Sequence, residues 1–184
     1  MAENASRSGE STRLPVLELR VRPERPGDEE AIFALHEAAF VRAQEAELVG
    51  VLRREADPYL GLVAELGSEL VGHVAFSPVA LAGEGPAALA LGPMAVAPPV
   101  QGRGVGSALI AAGLEACAAR GVGVVFVLGH ADYYPRFGFR PAAVAALRYR
   151  SEVFDGVFFV RELEAGSLAG RTGLVRYHPA FDRL

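Results

Sequence analysis

Gln101-Gly102-Arg103-Gly104-Val105-Gly106 is the stretch whose residue types and spacing most directly offer chemistry. An apolar run, Ala88 to Val96, precedes it, and a run of helical spacing, Ser107 to Arg120, follows. A strand, a glycine loop and a helix in that order make an anion site. The first helical turn has backbone N–H groups with no partner inside the helix. The helix dipole adds partial positive charge there, and glycines let a phosphate approach the backbone. The expected ligand is therefore a phosphate or pyrophosphate held mainly by main chain. Two loop types are excluded. A dinucleotide fingerprint needs a third glycine, but Leu109 stands at that place. A nucleoside triphosphate loop needs Gly-Lys-Ser/Thr, and the chain contains no lysine.

A second group lies downstream. Val124 to Leu128 reads as a buried strand, and Gly129-His130-Ala131-Asp132-Tyr133-Tyr134-Pro135-Arg136-Phe137-Gly138-Phe139 follows it. Tyr134 stands four residues before the Gly138-Phe139 pair. The Q-x-x-G-x-G loop, this tyrosine and the run Leu91-Gly92-Pro93-Met94-Ala95-Val96 occur in one order. Together they resemble the GNAT superfamily of N-acetyltransferases, and within it a bacterial subgroup called YhbS-like. The close resemblance covers Leu91 to Pro141; outside it only element order matches.

The resemblance implies acetyl-CoA as acyl donor and an amine as acceptor, joined by direct attack in a ternary complex. The pyrophosphate would rest on Gln101, Gly102, Arg103, Gly104, Val105, Gly106 and Ser107. Met94, Ala95 and Val96 would pair with the pantetheine arm, and Met94 or Ala95 would offer an N–H to the oxyanion. Tyr134 would protonate the departing thiolate. A phenol titrates near pH ~10 and a thiol near ~8.5, so the tyrosine keeps its proton at neutral pH. The other reading of Tyr134 is an aromatic packing residue. Tyr133 is read as packing, and Arg136 as either a contact to the adenosine phosphate or a solvated side chain. The general base is not readable. Many members of the superfamily use a carboxylate on the fourth strand, but Ala88 to Val96 has none. His130, Asp132 and Glu65 are the candidates, with His130 favoured by its place at a strand end and its intrinsic pKa. A non-catalytic acyl-CoA-binding module and an O-acyl or longer-chain acyltransferase stand as alternatives.

These residues need a scaffold, and the rest of the chain predicts one. Glu18, Arg20 and Arg22 alternate with Leu17, Leu19 and Val21, which predicts a strand over Val16 to Arg22. A helix follows, with Asp28 as N-cap and Ile32, Leu35, His36 and Phe40 near one face; a second helix spans Ala43 to Arg54. Tyr59 to Leu66 and Leu70 to Ser77 read as a hairpin turning at Gly67-Ser68. Gly92-Pro93 predicts a bulge in the next strand, because proline cannot donate to a ladder. Gly121 closes the loop helix, a short helix is expected over Ala131 to Phe137, and strands over Val157 to Leu163 and Gly173 to Tyr177. The expected fold is α/β (α+β): a GNAT-type mixed, mostly antiparallel sheet flanked by helices, with a splayed central parallel pair. The acceptor would enter between the first two helices and the Phe139 to Leu163 segment.

A chain of 184 residues, half of it hydrophobic, is read as one domain over 14–184 behind a disordered tail, Met1 to Arg13. A net charge of −4 argues against nucleic acid as the main partner. No long apolar span points to a membrane, and no signal-peptide pattern opens the chain, so a cytoplasmic location is expected. The single Cys117 excludes an internal disulfide, and no residue spacing predicts a metal site. His36, His73 and His178 are read as structural. A homodimer is compatible with the reading.

Overall fold

Apolar side chains along Leu60–Leu66 fall into two sets that are buried on opposite faces of one sheet. A computed structural model describes residues 18–40 and 43–183. Leu62 and Ala64 join a cluster with Leu109 and Ile110, whereas Val63 joins Ile32 and Val49. That two-residue period forces helices onto both faces.

The elements run β1 (Leu19–Pro23), α1 (Glu29–Ala39), α2 (Gln44–Glu55), β2 (Leu60–Leu66), β3 (Glu69–Pro78) and β4 (Ala87–Val96). Then come α3 (Val105–Ala118), β5 (Val122–Leu128), β6 (Arg140–Pro141), β7 (Leu147–Tyr149), β8 (Phe158–Glu162) and β9 (Gly173–Val175). The main sheet has the order β1-β2-β3-β4-β5-β8-β6. Its β4–β5 pair is parallel and its other pairs are antiparallel. β7 and β9 form a separate parallel pair. This is the mixed sheet expected from the sequence, with the parallel pair where it was placed.

Helix α3 covers one face. Its Leu109, Ile110, Leu114 and Cys117 are buried against Phe76, Leu89 and Val125. No side chain caps its N-terminus. Burial of each large aliphatic side chain contributes roughly 1.5–3 kcal/mol, so packing rather than capping holds the helix. Helices α1 and α2 cover the other face around Val63, and Val124, Phe126 and Val160 on that face pack with Leu147, Tyr149 and Val175.

Strand β4 carries the expected bulge. Val74 pairs with Met94 and Phe76 with Leu91, so Gly92 and Pro93 together stand opposite Ala75. The Gly92–Pro93 peptide is cis. Pairing with β5 ends at Leu91–Val127, while pairing with β3 continues to Val96. The second half of β4 therefore has one partner strand, and a gap opens between it and β5.

Several expectations need correction or a limit. Met1 to Arg13, with Val16 and Leu17 of the predicted first strand, lies outside the described residues. Asp28 stands at the N-cap of α1 but makes no capping bond. Its carboxylate instead accepts from Arg22 Nη1 and Nη2, at 2.7 and 3.0 Å, and from Arg25 N at 2.8 Å. The guanidinium outcompetes the helix N–H groups as a donor. Helix α3 begins two residues earlier than predicted. The helix expected over Ala131 to Phe137 is a turn followed by a 3-10 turn at Tyr134–Phe137, with Pro135 lacking an N–H and Gly138 left-handed at its end. Strands β6 and β7, of two and three residues, are too short to show a period.

Candidate active site

The loop before α3 has the geometry that its glycines foretold. Gly102 and Gly104 have φ of 74° and 89°, the left-handed region that side chains avoid. The first bond closing the helix runs from Ala108 N to Gly104 O, at 3.0 Å. The N–H groups of Gly104, Val105, Gly106 and Ser107 precede it and gather at one end of the helix. Gln101 Nε2 donates to Val96 O at 3.0 Å and ties the loop to the end of β4. Arg103 is exposed on the loop, whereas the Val105 side chain is buried in the core, leaving Val105 to act through its backbone. Arg136 donates to Ser107 Oγ at 2.8 Å and lies over the Tyr133 ring, 4.1 Å from its centroid. A second cation thus stands beside the N-terminal end of α3.

The gap between β4 and β5 opens into a cleft of about 620 Å³. Leu91 to Met94, Val96 and Gln101 line it from the β4 side. Leu128, Gly129, His130, Tyr133 and Tyr134 line it from the end of β5. Of the residues predicted to hold the donor, Met94, Val96 and Gln101 line this cleft; Gly102 to Ser107 and Arg136 lie outside its lining, and the Ala95 side chain is buried away from it.

Tyr134 is 8% exposed, set edge-on against Tyr133 and Phe139 at centroid distances of 5.2 and 5.8 Å. Its ring lies so close over Gly129 that a Cβ there would come within 2.2 Å. Gly129 thus admits the ring at the mouth of the parallel pair. Burial, with Tyr133 adding to it, pushes the phenol up to about 12. Tyr134 is protonated at every physiological pH.

The base candidates separate. His130 is exposed on the cleft wall. Asp132 is exposed and does not line the cleft. Glu65 is held by Arg22, Nε at 2.8 Å and Nη2 at 2.6 Å, on the β1–β2 pair. Those contacts give Glu65 a structural role and correct its place among the candidates.

The remaining wall also differs from expectation. No residue of Phe139 to Leu163 lines the cleft; Phe40 and Glu45 do, with Tyr177 and Phe181. The C-terminal turn packs Phe181 and Ala180 against Leu48 and Leu52 of α2, and this brings the two aromatic rings to the site. Glu45 went unread although a signal was present. It stands four and seven residues before the buried Val49 and Leu52, a carboxylate in register with an apolar stripe. Tyr133, read as packing, also faces the cleft. Its hydroxyl lies 2.9 Å from where a Gly106 Cβ would stand.

His36 and His73 are fully buried, as read. His36 Nε2 and His73 Nδ1 are 2.9 Å apart, and His73 Nε2 lies 3.3 Å from Glu24 Oε2. Glu24 also accepts from Tyr59 at 3.0 Å and pairs with Arg53. The carboxylate fixes the tautomers: His73 donates from Nε2 to Glu24, so its Nδ1 accepts from His36 Nε2. His178 Nδ1 accepts from Ala180 N at 3.3 Å, a local structural bond. Among the described residues no group of His, Cys, Asp and Glu is arranged to hold a metal ion, and no helix is long and apolar enough to cross a membrane.

Comparison with known proteins agrees with this geometry. A family model described as an acetyltransferase (GNAT) domain matches residues 20–142. The chain is 38% identical over 164 residues to the N-acetyltransferase YhbS of Escherichia coli K12, covering 89% of this chain and 98% of the relative. It is 45% identical over 109 residues to the N-acetyltransferase YjhQ of the same strain, covering 57% and 60%. The crystal structure of E. coli YhbS in complex with CoA superposes with a TM-score of 0.86 at 38% identity, covering 94% of this chain and 96% of that one. A GNAT family acetyltransferase from Brucella melitensis in complex with acetyl-CoA gives 0.73 at 35% identity, covering 90% and 99%.

Proposed function

Because the chain belongs to the GNAT acetyltransferase family, we propose that it transfers an acetyl group from acetyl-CoA to an amine. The observation that carries this reading is the splay of β4 from β5. It leaves unpaired β4 main chain, the loop residue Gln101 and a buried phenol lining one cleft. The two relatives solved with CoA and with acetyl-CoA support the choice of donor.

The pyrophosphate rests on the N–H groups of Gly104 to Ser107, with Arg103 and Arg136 adding charge. The pantetheine arm follows Met94 to Val96 in the place a fifth-strand partner would take. The amine nitrogen attacks the thioester carbonyl; its C–N bond forms as the C–S bond breaks. The acceptor gives up its ammonium proton to solvent before attack; the nitrogen then passes a second proton to His130 and the CoA sulfur takes one from Tyr134, which is reprotonated from solvent as His130 releases its own. Effective acid–base partners of this kind contribute roughly 10²–10⁴-fold.

The test has two parts. Calorimetric titration with CoA should show tight binding to the native protein and none to Gly104→Glu, which puts bulk and negative charge among the phosphate-binding amides. Release of CoA thiol in the presence of acetyl-CoA and a panel of amines should exceed the rate without amine. Normal CoA affinity in Gly104→Glu would remove the loop from the site. Binding without amine-dependent release would leave a coenzyme-binding module.

A further inference from the structure

The half of the cleft away from the loop has its own chemistry. Phe40, Tyr177 and Phe181 supply aromatic walls, and the Tyr177 and Phe181 rings stand 5.1 Å apart, edge to face. Glu45 projects from the first turn of α2 into the same space. Its Oε2 is buried and has no hydrogen-bond partner among the described residues, and the Tyr177 hydroxyl is in the same state. Five other buried polar atoms among the described residues also lack partners, so what sets this pair apart is that both residues line the one cleft. Among the described residues no arginine lines the cleft.

We infer that this half is an ammonium site: Glu45 pairs with the acceptor's charged nitrogen while Phe40, Tyr177 and Phe181 enclose an apolar or aromatic body. The substrate class is a primary amine on such a body, with no carboxylate beside the nitrogen. A cation satisfies Glu45 and gains from the aromatic faces. A carboxylate next to the amine would meet Glu45 with like charge. Tyr177 provides a hydroxyl for one of the ammonium N–H groups or a polar atom on the body. The inference rests on the proposed transfer only in naming the bound amine as acceptor.

The test uses the CoA-loaded protein, titrated calorimetrically with phenethylamine, tyramine and tryptamine, and with phenylalanine and 2-phenylethanol as matched controls. The amines should bind, and phenylalanine and 2-phenylethanol should bind at least tenfold more weakly. In steady state, kcat/KM for phenethylamine should exceed that for phenylalanine by at least tenfold. Glu45→Gln should raise the amine dissociation constant and KM at least tenfold, with CoA affinity and melting temperature unchanged. Equal binding of phenylalanine, no binding of any of the three amines, or an unchanged amine affinity in a folded Glu45→Gln would overturn the site. Binding of the amines without acetylation would support the ammonium site and overturn the transfer reaction instead.

Discussion

Two polar regions lie under the helices of this molecule, and they are built in opposite ways. Around Glu24 the carboxylate is surrounded: Arg53, Tyr59 and His73 all contact it, and His73 passes the chain on to His36, although His36 Nδ1 and Arg53 Nη2 are buried with no partner among the described residues. Burial alone would raise the Glu24 carboxyl, but His73 and Arg53 outweigh it and hold it below its ordinary value. Around the cleft, Glu45 Oε2 and the Tyr177 hydroxyl are buried without partners among the described residues, and burial pushes both Tyr134 and Tyr177 up. The Glu24 carboxylate is held by several charged and polar groups and ties its own fold together. The Glu45 carboxylate has no such partner among the described residues and lines an open cleft. His36 links the two, since its ring stacks on Phe40 at 5.8 Å, and Phe40 lines the cleft.

That contrast makes each region answer to a different measurement. Tyr134→Phe carries the largest expected effect. Turnover should fall roughly 10²–10⁴-fold with CoA affinity and melting temperature nearly unchanged. Unchanged turnover would make Tyr134 a packing residue and erase the distinction. Glu24→Gln should do the reverse. It leaves Arg53 without its counter-ion and should lower stability by about 3 kcal/mol, the lower end for a broken buried pair because Arg53 is 22% exposed. Urea melts check the loss, and kcat of the folded fraction should stay close to the native value. A Glu24→Gln protein of native stability would show that the Glu24 network does not stabilise the fold.

The smallest effect is the share of a pH slope that one histidine carries. Burial first, then His73 and Arg53, hold His36 down at about 3, and burial also lowers His73. Both rings are therefore neutral in the fold, while an unfolded chain protonates them near pH ~6.5. The unfolded state then binds more protons. Stability is full above pH ~6.5 and falls as pH drops below it, by about 1.4 kcal/mol per pH unit for each histidine. Denaturant melts from pH 7 to 5 should show this. His36→Gln keeps a donor where Nε2 stood and should roughly halve the slope; an unaltered slope would mean that His36 titrates normally in the native state.

Much of the donor half was legible because its physics is local. A φ above zero at Gly104, the free N–H groups after it and the bulge at Gly92-Pro93 are properties of a few consecutive residues, and those residue types announce them. Arg136 was half legible: its charge was plain, but its contact with Ser107 spans 29 positions. Glu65 was misread because its partner, Arg22, lies 43 positions away on another strand. Asp28 failed as a cap for the same reason, drawn off by a guanidinium on the preceding strand.

The sequence by itself determined the order of elements from the first strand to the fifth, the glycine turn before α3 and the tyrosine after β5, through periodicity, glycine placement and short motifs that act over one or two elements. The parallel pair was implied by the family resemblance. Only the tertiary structure decided what stands opposite. Glu45 from the second helix meets Tyr177 and Phe181 from the C-terminal turn because α2 and that turn share an apolar contact. The end of pairing between β4 and β5 leaves room beside them. Side chains more than 130 positions apart become neighbours by packing, and no local period in the chain encodes that meeting.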